Sequence, residues 1–330
     1  MEHPFRKSAS ATEKAKRLVS ILNAEDTLAI LINADPDAIA SALALKRIFW
    51  RRVKKVGMYR INAIKRADNL AMIKLLKVNL QYIRKLDASE YTRWAIVDSQ
   101  PHHDAKFKKH SFDIIIDHHE VGPRSQAEFV DIKEDYGATA TLMIEYLRAL
   151  KLKPSPRLAT ALFYGIKTDT ENFVRATTES DMNAFRYLYP FVSIPIINKI
   201  ESSEMTKKTL AGFREALDRF ELIRNRAFVH MGKVDDPDFL VIIADFFLKV
   251  AEASWSIVSG VYGQKLIVIF RNAGFRRDAG KTAQKLFQEW GNAGGHRSAA
   301  RAEISLQNLG ISGDQDEAIR QFVRERIQTI

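Results

Sequence analysis

The chain has 330 residues, 51 Lys and Arg against 40 Asp and Glu, a formal charge of +11 and no cysteine. At roughly 150 residues per domain, that length predicts about two domains, each large enough to bury its own core. The missing cysteines exclude disulfides, thiolate zinc sites, iron–sulfur clusters and cysteine nucleophiles.

With 46% hydrophobic and 28% charged residues, the chain reads as globular. No apolar run approaches the roughly 18 residues of a spanning helix, and the opening segment MEHPFRKSAS has no apolar core of the signal-peptide kind. A soluble cytoplasmic protein is expected. The basic surplus suits a phosphate-bearing partner, and equally a solvated basic surface.

In chain order, Thr27–Asn33 reads as a buried strand and Asp37–Trp50 as the helix after it. Val53–Tyr59, Trp94–Asp98 and Phe112–Asp117 are further strand candidates, the last two being apolar runs that end in Asp. Gly137–Leu150, Arg157–Lys167 and Ser180–Leu188 read as helices. Strands alternating with helices predict a doubly wound, mostly parallel α/β sheet over residues 1–195. Residues 196–222, rich in helix formers and charges, are expected to form a helical connector. A smaller mixed α+β domain then spans 223–330. Its expected strands are Phe228–Met231, Trp255–Tyr262, Leu266–Arg271 and Ala300–Ile304, with a turn at Gly263–Gln264, a helix at Lys281–Trp290 and a glycine cluster at Gly291–Gly295. The aromatics Phe49, Trp50, Phe163, Tyr164 and Trp290 fall at helical spacing and are assigned to the core.

Ligands of an open parallel sheet bind beyond the carboxyl ends of its strands, and this chain repeatedly places acids there. Asp35 and Asp37 follow the first strand, Asp98 closes WAIVD, and Asp117 closes FDIIID just before His118 and His119. Asp169 lies in Gly-Ile-Lys-Thr-Asp-Thr. A single such Asp is ordinarily a helix cap or turn residue. Recurrence at three strand ends, with two adjoining histidines, favours a ligand set suited to Mn²⁺ or a similar divalent ion. Several carboxylates suggest two metals about 3.5–4 Å apart, the arrangement that activates a water for attack on phosphorus.

In this order, Asp-Pro-Asp-Ala-x-x-Ser, Val-Asp-Ser, Asp-His-His, Gly-Ile-x-Thr-Asp-Thr and a final Gly-Gly-His resemble the DHH phosphoesterase superfamily, from about residue 27 to 305. Within it, the short two-domain chain is most similar to nanoRNase/pAp phosphatase-like members and distantly to RecJ. The resemblance implies that Asp35 and Asp98 serve one metal, and that Asp37, Asp98, His118 and Asp169 serve the other. It puts His119 at the scissile phosphate, with Asp117 orienting the His pair. It implies that the second domain closes over the cleft, with Gly294, Gly295, His296, Arg297 and Arg271 gripping phosphate or nucleotide. Arg276 and Arg277 are further candidate phosphate contacts.

Two positions depart from the pattern: Leu31 stands where the phosphatase branch carries a metal-binding His, and Asn33 where RecJ-type members carry Asp. Asn33 offers one neutral oxygen to the first site. The expected function is a Mn²⁺-dependent (or Mg²⁺-dependent) phosphoesterase with two divalent ions, acting on short oligonucleotides or on pAp-like or dinucleotide esters. The alternative is a weakly active or non-catalytic nucleotide-binding protein with an impaired first site. The expected partner is a short single-stranded nucleic acid or nucleotide, with no membrane; a second copy of the chain stays open. His102 and His103 are expected to be a solvated loop pair, and Lys106, Lys108, Lys109 and His110 a solvated basic run. No P-loop, GxGxxG-after-strand, HExxH or GxSxG pattern is present.

Overall fold

In the computed structural model the described residues are 10–123, 127–174, 177–204, 207–273, 277–311 and 315–329. The chain forms two compact units, Met1–Glu204 and Met205–Ile330. Among the described residues, no helix is long and apolar enough to cross a membrane.

The first unit runs α1 (Ala11–Ser20), β1 (Thr27–Ile32), α2 (Pro36–Phe49), β2 (Lys55–Arg60), α3 (Ala67–Leu75), β3 (Gln81–Tyr82), β4 (Arg93–Val97), β5 (Ile114–Asp117), β6 (Phe129–Ile132), α4 (Thr139–Ala149), α5 (Pro156–Asp169), α6 (Glu179–Leu188) and α7 (Ile194–Glu201). All six strands are parallel, in the order β3-β2-β1-β4-β5-β6. The chain therefore winds outward in one direction from β1 and in the other from β4. Their diverging connections open a crevice at the carboxyl ends of this central pair.

Side chains alternate across each strand, so the unit has two apolar faces. Leu28, Ile30 and Ile32 of β1, with Ala95 and Val97 of β4, pack under residues of α1, α2, α4 and α5. Ala29, Leu31, Ile96 and Ile115 face the other way, against Tyr59, Tyr91, Phe107 and Phe112. The α-helices thus cover one face. Short segments cover the other, including the 3₁₀ turn Phe107–Lys109 between β4 and β5.

The second unit contains α8 (Lys207–Asp218), β7 (Glu221–Ile223), β8 (Arg226–Lys233), α9 (Asp238–Phe247), β9 (Trp255–Tyr262), β10 (Lys265–Asn272), α10 (Ala279–Phe287), β11 (Gly291–Gly295), β12 (Ala299–Ser305), α11 (Leu306–Leu309) and α12 (Asp316–Ile327). Its mixed sheet has the order β11-β12-β10-β9-β8-β7, with only β8 and β9 parallel. Gly263, at φ +60°, makes the expected two-residue turn of the β9–β10 hairpin. Residues of α10 and α12 pack on one sheet face and those of α8 and α9 on the other.

Two sequence expectations need correction. The stretch read as a connector is divided between the units: Ile197 and Ile200 of α7 join the first core, and Phe213 and Ala216 of α8 join the second. Trp50, assigned to the core by its spacing, is 54% exposed. It lies one residue past the end of α2, where the chain leaves helical geometry (ψ 126°) and the helical period no longer sets its direction.

Candidate metal centre

The strand-end acids converge because the sheet's central strands end side by side. Asp35 caps α2, its Oδ1 accepting the Ala38 N–H at 2.8 Å. Asp37, in the first turn of α2, is fully buried and caps a different helix. Its two oxygens accept the Thr139 N–H (2.6 Å) and the Ala140 N–H (2.9 Å) at the start of α4. Asp98 follows β4 with φ +57°, a left-handed conformation costing about 1 kcal/mol. Its N–H still donates to the Ile116 carbonyl of β5 (2.8 Å), and its Oδ1 accepts the Thr139 hydroxyl at 2.8 Å. Thr139 therefore holds Asp37 with its backbone and Asp98 with its side chain.

Asp117 ends β5 fully buried. It accepts the His118 N–H (2.9 Å), a Gln100 side-chain N–H (2.7 Å) and the His119 Nδ1–H (2.8 Å). Burial works to raise its pKa, but the His119 bond and charge and the Gln100 bond outweigh it, holding the carboxyl below its ordinary value. An ionised Asp117 can only accept, so His119 carries its proton on Nδ1 and turns Nε2 outward on a side chain 49% exposed.

His118 is fixed from the other side: its Nδ1 donates to the Tyr136 carbonyl at 3.0 Å. Nε2 thus faces the carboxylates, 2.9 Å from Asp169 Oδ2 and 3.6 Å from Asp98 Oδ1. This nitrogen is buried and lacks an aligned hydrogen-bond partner among the described residues. Asp169 lies in the last turn of α5. The close approach of α5 to α2 depends on Gly165, where a Cβ would stand 3.1 Å from Asp37 Cα and 3.2 Å from its Oδ1.

Electrostatics within the group is unfavourable without a cation. Burial and Asp169 push Asp37 up to about 7 and Asp35 to about 6. Burial together with Asp37, Asp35 and Asp169 raises Asp98 well above the carboxylate range. Burial would lower His118, but Asp169 and Asp37 carry it up to about 9. Two sets of donors stand close: Asp37, His118 and Asp169, and Asp98, His118 and His119, each set within 4.8 Å. Oxygen and imidazole donors around an orphaned buried ring nitrogen fit a divalent cation of the Mn²⁺ or Mg²⁺ type.

Other expected residues lie elsewhere. Asn33 is exposed, and Leu31 is buried in the apolar face that lacks α-helices. His103 is an exposed loop residue, as expected, yet it is held in place. Its Nδ1 accepts the Gln100 N–H at 3.2 Å, and its ring stands edge-on to His119 with centroids 5.6 Å apart. In the second unit, Arg271 Nε donates to Asp245 Oδ1 at 2.5 Å. Gly294 and Gly295 lie in β11, paired with Arg301 and Ala300. Gly295, at φ +149°, opens a turn in which the carbonyls of His296 and Arg297 accept the N–H groups of Gly280 and Ala279 (2.9 Å each). His296 and Arg297 are themselves exposed there. Arg276 lies outside the described residues.

Sequence reasoning passed over Thr139, Gln100, Tyr136 and Asp181. Buried Asp181 accepts the Gly137 N–H (2.9 Å) and the Thr141 hydroxyl (2.5 Å), setting the entry to α4. The one available signal for this region was Gly-Ala-Thr-Ala-Thr at a helix start.

Residues 28–166 match the family model for the DHH family, N-terminal domain. The chain is 34% identical over 298 residues to the uncharacterized protein MJ1633 of Methanocaldococcus jannaschii, a match covering 90% of this chain and 61% of that protein. It is 27% identical over 198 residues to MJ0988 of the same organism, covering 58% of each. The chain thus spans about 60% of the length of these curated relatives. Among solved structures, an exopolyphosphatase-related protein from Bacteroides fragilis shares the fold with a TM-score of 0.70 at 14% identity, covering 97% of this chain and all of that one. RecJ from Thermus thermophilus in complex with Mn²⁺ gives 0.53 at 14% identity, over 97% of this chain and 54% of that one. The parallel sheet, the ordered acidic and histidine motifs and the family match agree: residues 28–166 carry the N-terminal domain of the DHH family.

Proposed function

We propose that this protein is a phosphoesterase that uses two divalent cations to hydrolyse short oligonucleotides or pAp-like or dinucleotide phosphate esters. The observation that carries this reading is His118 Nε2, buried without an aligned hydrogen bond among the described residues and aimed at Asp169 and Asp98. Asp37, Asp98, Asp169 and His118 would hold one ion; Asp35 and Asp98, with Asn33 nearby in sequence, the other. Mn²⁺ is the favoured ion and Mg²⁺ the alternative, since mixed carboxylate and imidazole donors suit Mn²⁺ and the RecJ structure of the same fold is a manganese complex. When bound, the ions supply Lewis acidity and a water acidic enough to attack phosphorus near neutral pH.

The chain's own residues divide the remaining work. Asp117 locks the His119 ring, and His119 presents Nε2 to a phosphoryl oxygen, where a protonated ring offsets developing charge. The upward pull of Asp117 on His119 favours that protonated form. Thr139 and the first turn of α4 keep Asp37 and Asp98 in place. His296, Arg297 and Arg271 are proposed to contact the substrate's phosphate or nucleotide, Arg271 by exchanging Asp245 for the anion.

The test is a panel of dinucleotides, pAp, short RNA and short DNA with Mn²⁺ and with Mg²⁺, run on wild type and Asp98→Ala. Cleavage by wild type alone supports the reading. The second reading, a binding protein with an impaired first site, rests on Asn33 being neutral and exposed and on Leu31 being buried among apolar residues. It takes over if neither protein cleaves any ester while nucleotides still bind.

A further inference from the structure

The end of the first unit opposite the carboxylates carries a different chemistry. Between Lys46 and Lys55 the sequence KRIFWRRVKK places six cations around one tryptophan. At 1.5 Å per helical residue, α2 sets Trp50 about 22 Å from Asp35. Trp50 is 54% exposed, an unusual state for the largest apolar side chain. The guanidinium groups of Arg51 and Arg47 stand over its ring at 4.4 and 5.0 Å. Arg51 reaches that position with φ +62°, a conformation costing about 1–2 kcal/mol for a side chain of its type. Among the described residues, Arg47, Arg51, Arg52 and Lys54 form no ion pair with a carboxylate.

Beside this shelf lies a cavity of about 310 Å³ whose wall includes Lys46, Lys55, Lys85, Asn79 and Gln81. Its one acidic residue, Glu90, is already paired with Lys55. Lys46 is half-buried there with no carboxylate partner among the described residues. Burial and the nearby Arg157 hold its pKa below the usual lysine value. An anion in the cavity would relieve both effects.

We infer that Trp50, Arg47, Arg51, Arg52 and Lys46 form a second nucleic-acid site that binds single-stranded RNA or DNA away from the carboxylate cluster. Unpaired bases stack on an exposed aromatic ring and on guanidinium planes, while forked guanidiniums and a lysine take the phosphates. An inorganic polyphosphate has no use for the ring, and the bases of a duplex are already stacked. A membrane surface calls for a broader apolar face than this one tryptophan between cations. The site needs no metal, so it stands or falls apart from the proposed phosphoesterase reading. Together, the two would let the protein hold a strand at one end of the domain while an end is processed at the other.

The experiment is fluorescence anisotropy of a labelled single-stranded dodecanucleotide with the full chain in EDTA, over a range of salt. Trp50→Ala should weaken binding about tenfold, the loss expected for one stacked base. The triple variant Arg47→Gln/Arg51→Gln/Arg52→Gln should lower the slope of log affinity against log salt by about 2, from about 0.7 per phosphate contact on a single strand. Lys108→Gln/Lys109→Gln, on the other basic run, should change neither affinity nor slope by as much. Far-UV circular dichroism and thermal midpoints establish that the variants fold. The inference is overturned if wild type fails to bind the strand or if Trp50→Ala binds like wild type. Equally tight, Trp50-dependent binding to a duplex, to polyphosphate or to phosphatidylserine vesicles also overturns it. Asp98→Ala should still bind the strand in EDTA, and Trp50→Ala should still cleave whatever dinucleotide wild type cleaves, so the two readings fail separately.

Discussion

Thr139 touches two buried carboxylates at once, its backbone N–H on Asp37 and its hydroxyl on Asp98. Thr139→Val preserves shape and the backbone bond but removes the hydroxyl donor. Isothermal titration with Mn²⁺ should show affinity, and assays on any cleaved ester activity, falling about 10–100-fold, as for other groups that orient metal ligands. An unchanged affinity and rate would remove Thr139 from the site. The two histidines should separate cleanly. His118→Gln should abolish tight Mn²⁺ binding, whereas His119→Gln should retain it and lose about 10²–10³ in turnover, the usual cost of one donor to a developing oxyanion. Asp35, Asp37, Asp98, Asp117 and His118 were legible because each follows an apolar run that announces its own end. Thr139, Gln100 and Asp181 were not, since they are common residue types whose partners lie 41, 17 and 44 positions away.

At the scale of elements, the site depends on how closely α2 and α5 approach. Both are capped with Pro in the first turn, and between them Gly165 lies flat against Asp37 and Ala40. Gly165→Val would drive branched methyls into that seam, where even a Cβ stands 3.3 Å from Ala40 Cβ. Urea unfolding should show a loss of about 1–3 kcal/mol, as for other overpacked cores, with weaker Mn²⁺ binding as Asp37 shifts. Gly165→Ala should cost less, because helix propensity returns up to about 1 kcal/mol. The capped, periodic helices α2, α4 and α5 were readable from sequence, whereas α9 was not. Its run DFLVIIADFF is nearly all apolar, and periodicity cannot separate a buried helix of that kind from a strand. The one-sided helical cover was also hidden. The β4–β5 connection carries only a 3₁₀ turn, and Phe107 with Phe112 fills the space a helix would occupy.

At the scale of the whole molecule, each unit holds buried charge or imidazole away from the carboxylate cluster, and this shapes stability against pH. In the first unit Lys14 pairs with Asp131 at 2.6 Å, pinning α1 to β6. In the second, fully buried His230 accepts the Ser259 hydroxyl at Nδ1 (2.8 Å) and donates from Nε2 to Asp316 (3.1 Å), tying β8 to the start of α12. Burial lowers the His230 pKa; Asp316 pulls it upward, while Arg219 and Arg320 add to the lowering. The unfolded chain therefore binds a proton near pH 6.5 that the native chain still refuses. Stability then falls as pH drops below 6.5 toward the folded value, by at most about 1.4 kcal/mol per pH unit for this one proton. His230→Gln offers an N–H to Asp316 and a carbonyl to Ser259 without titrating. Urea unfolding of the full chain in EDTA at pH 7, 6 and 5 should give the variant a shallower acid-side decline than wild type. The carboxylates and His118 titrate in both proteins, so their contribution cancels in the difference. Parallel declines would mean that His230 is not the group that makes the native fold resist protonation.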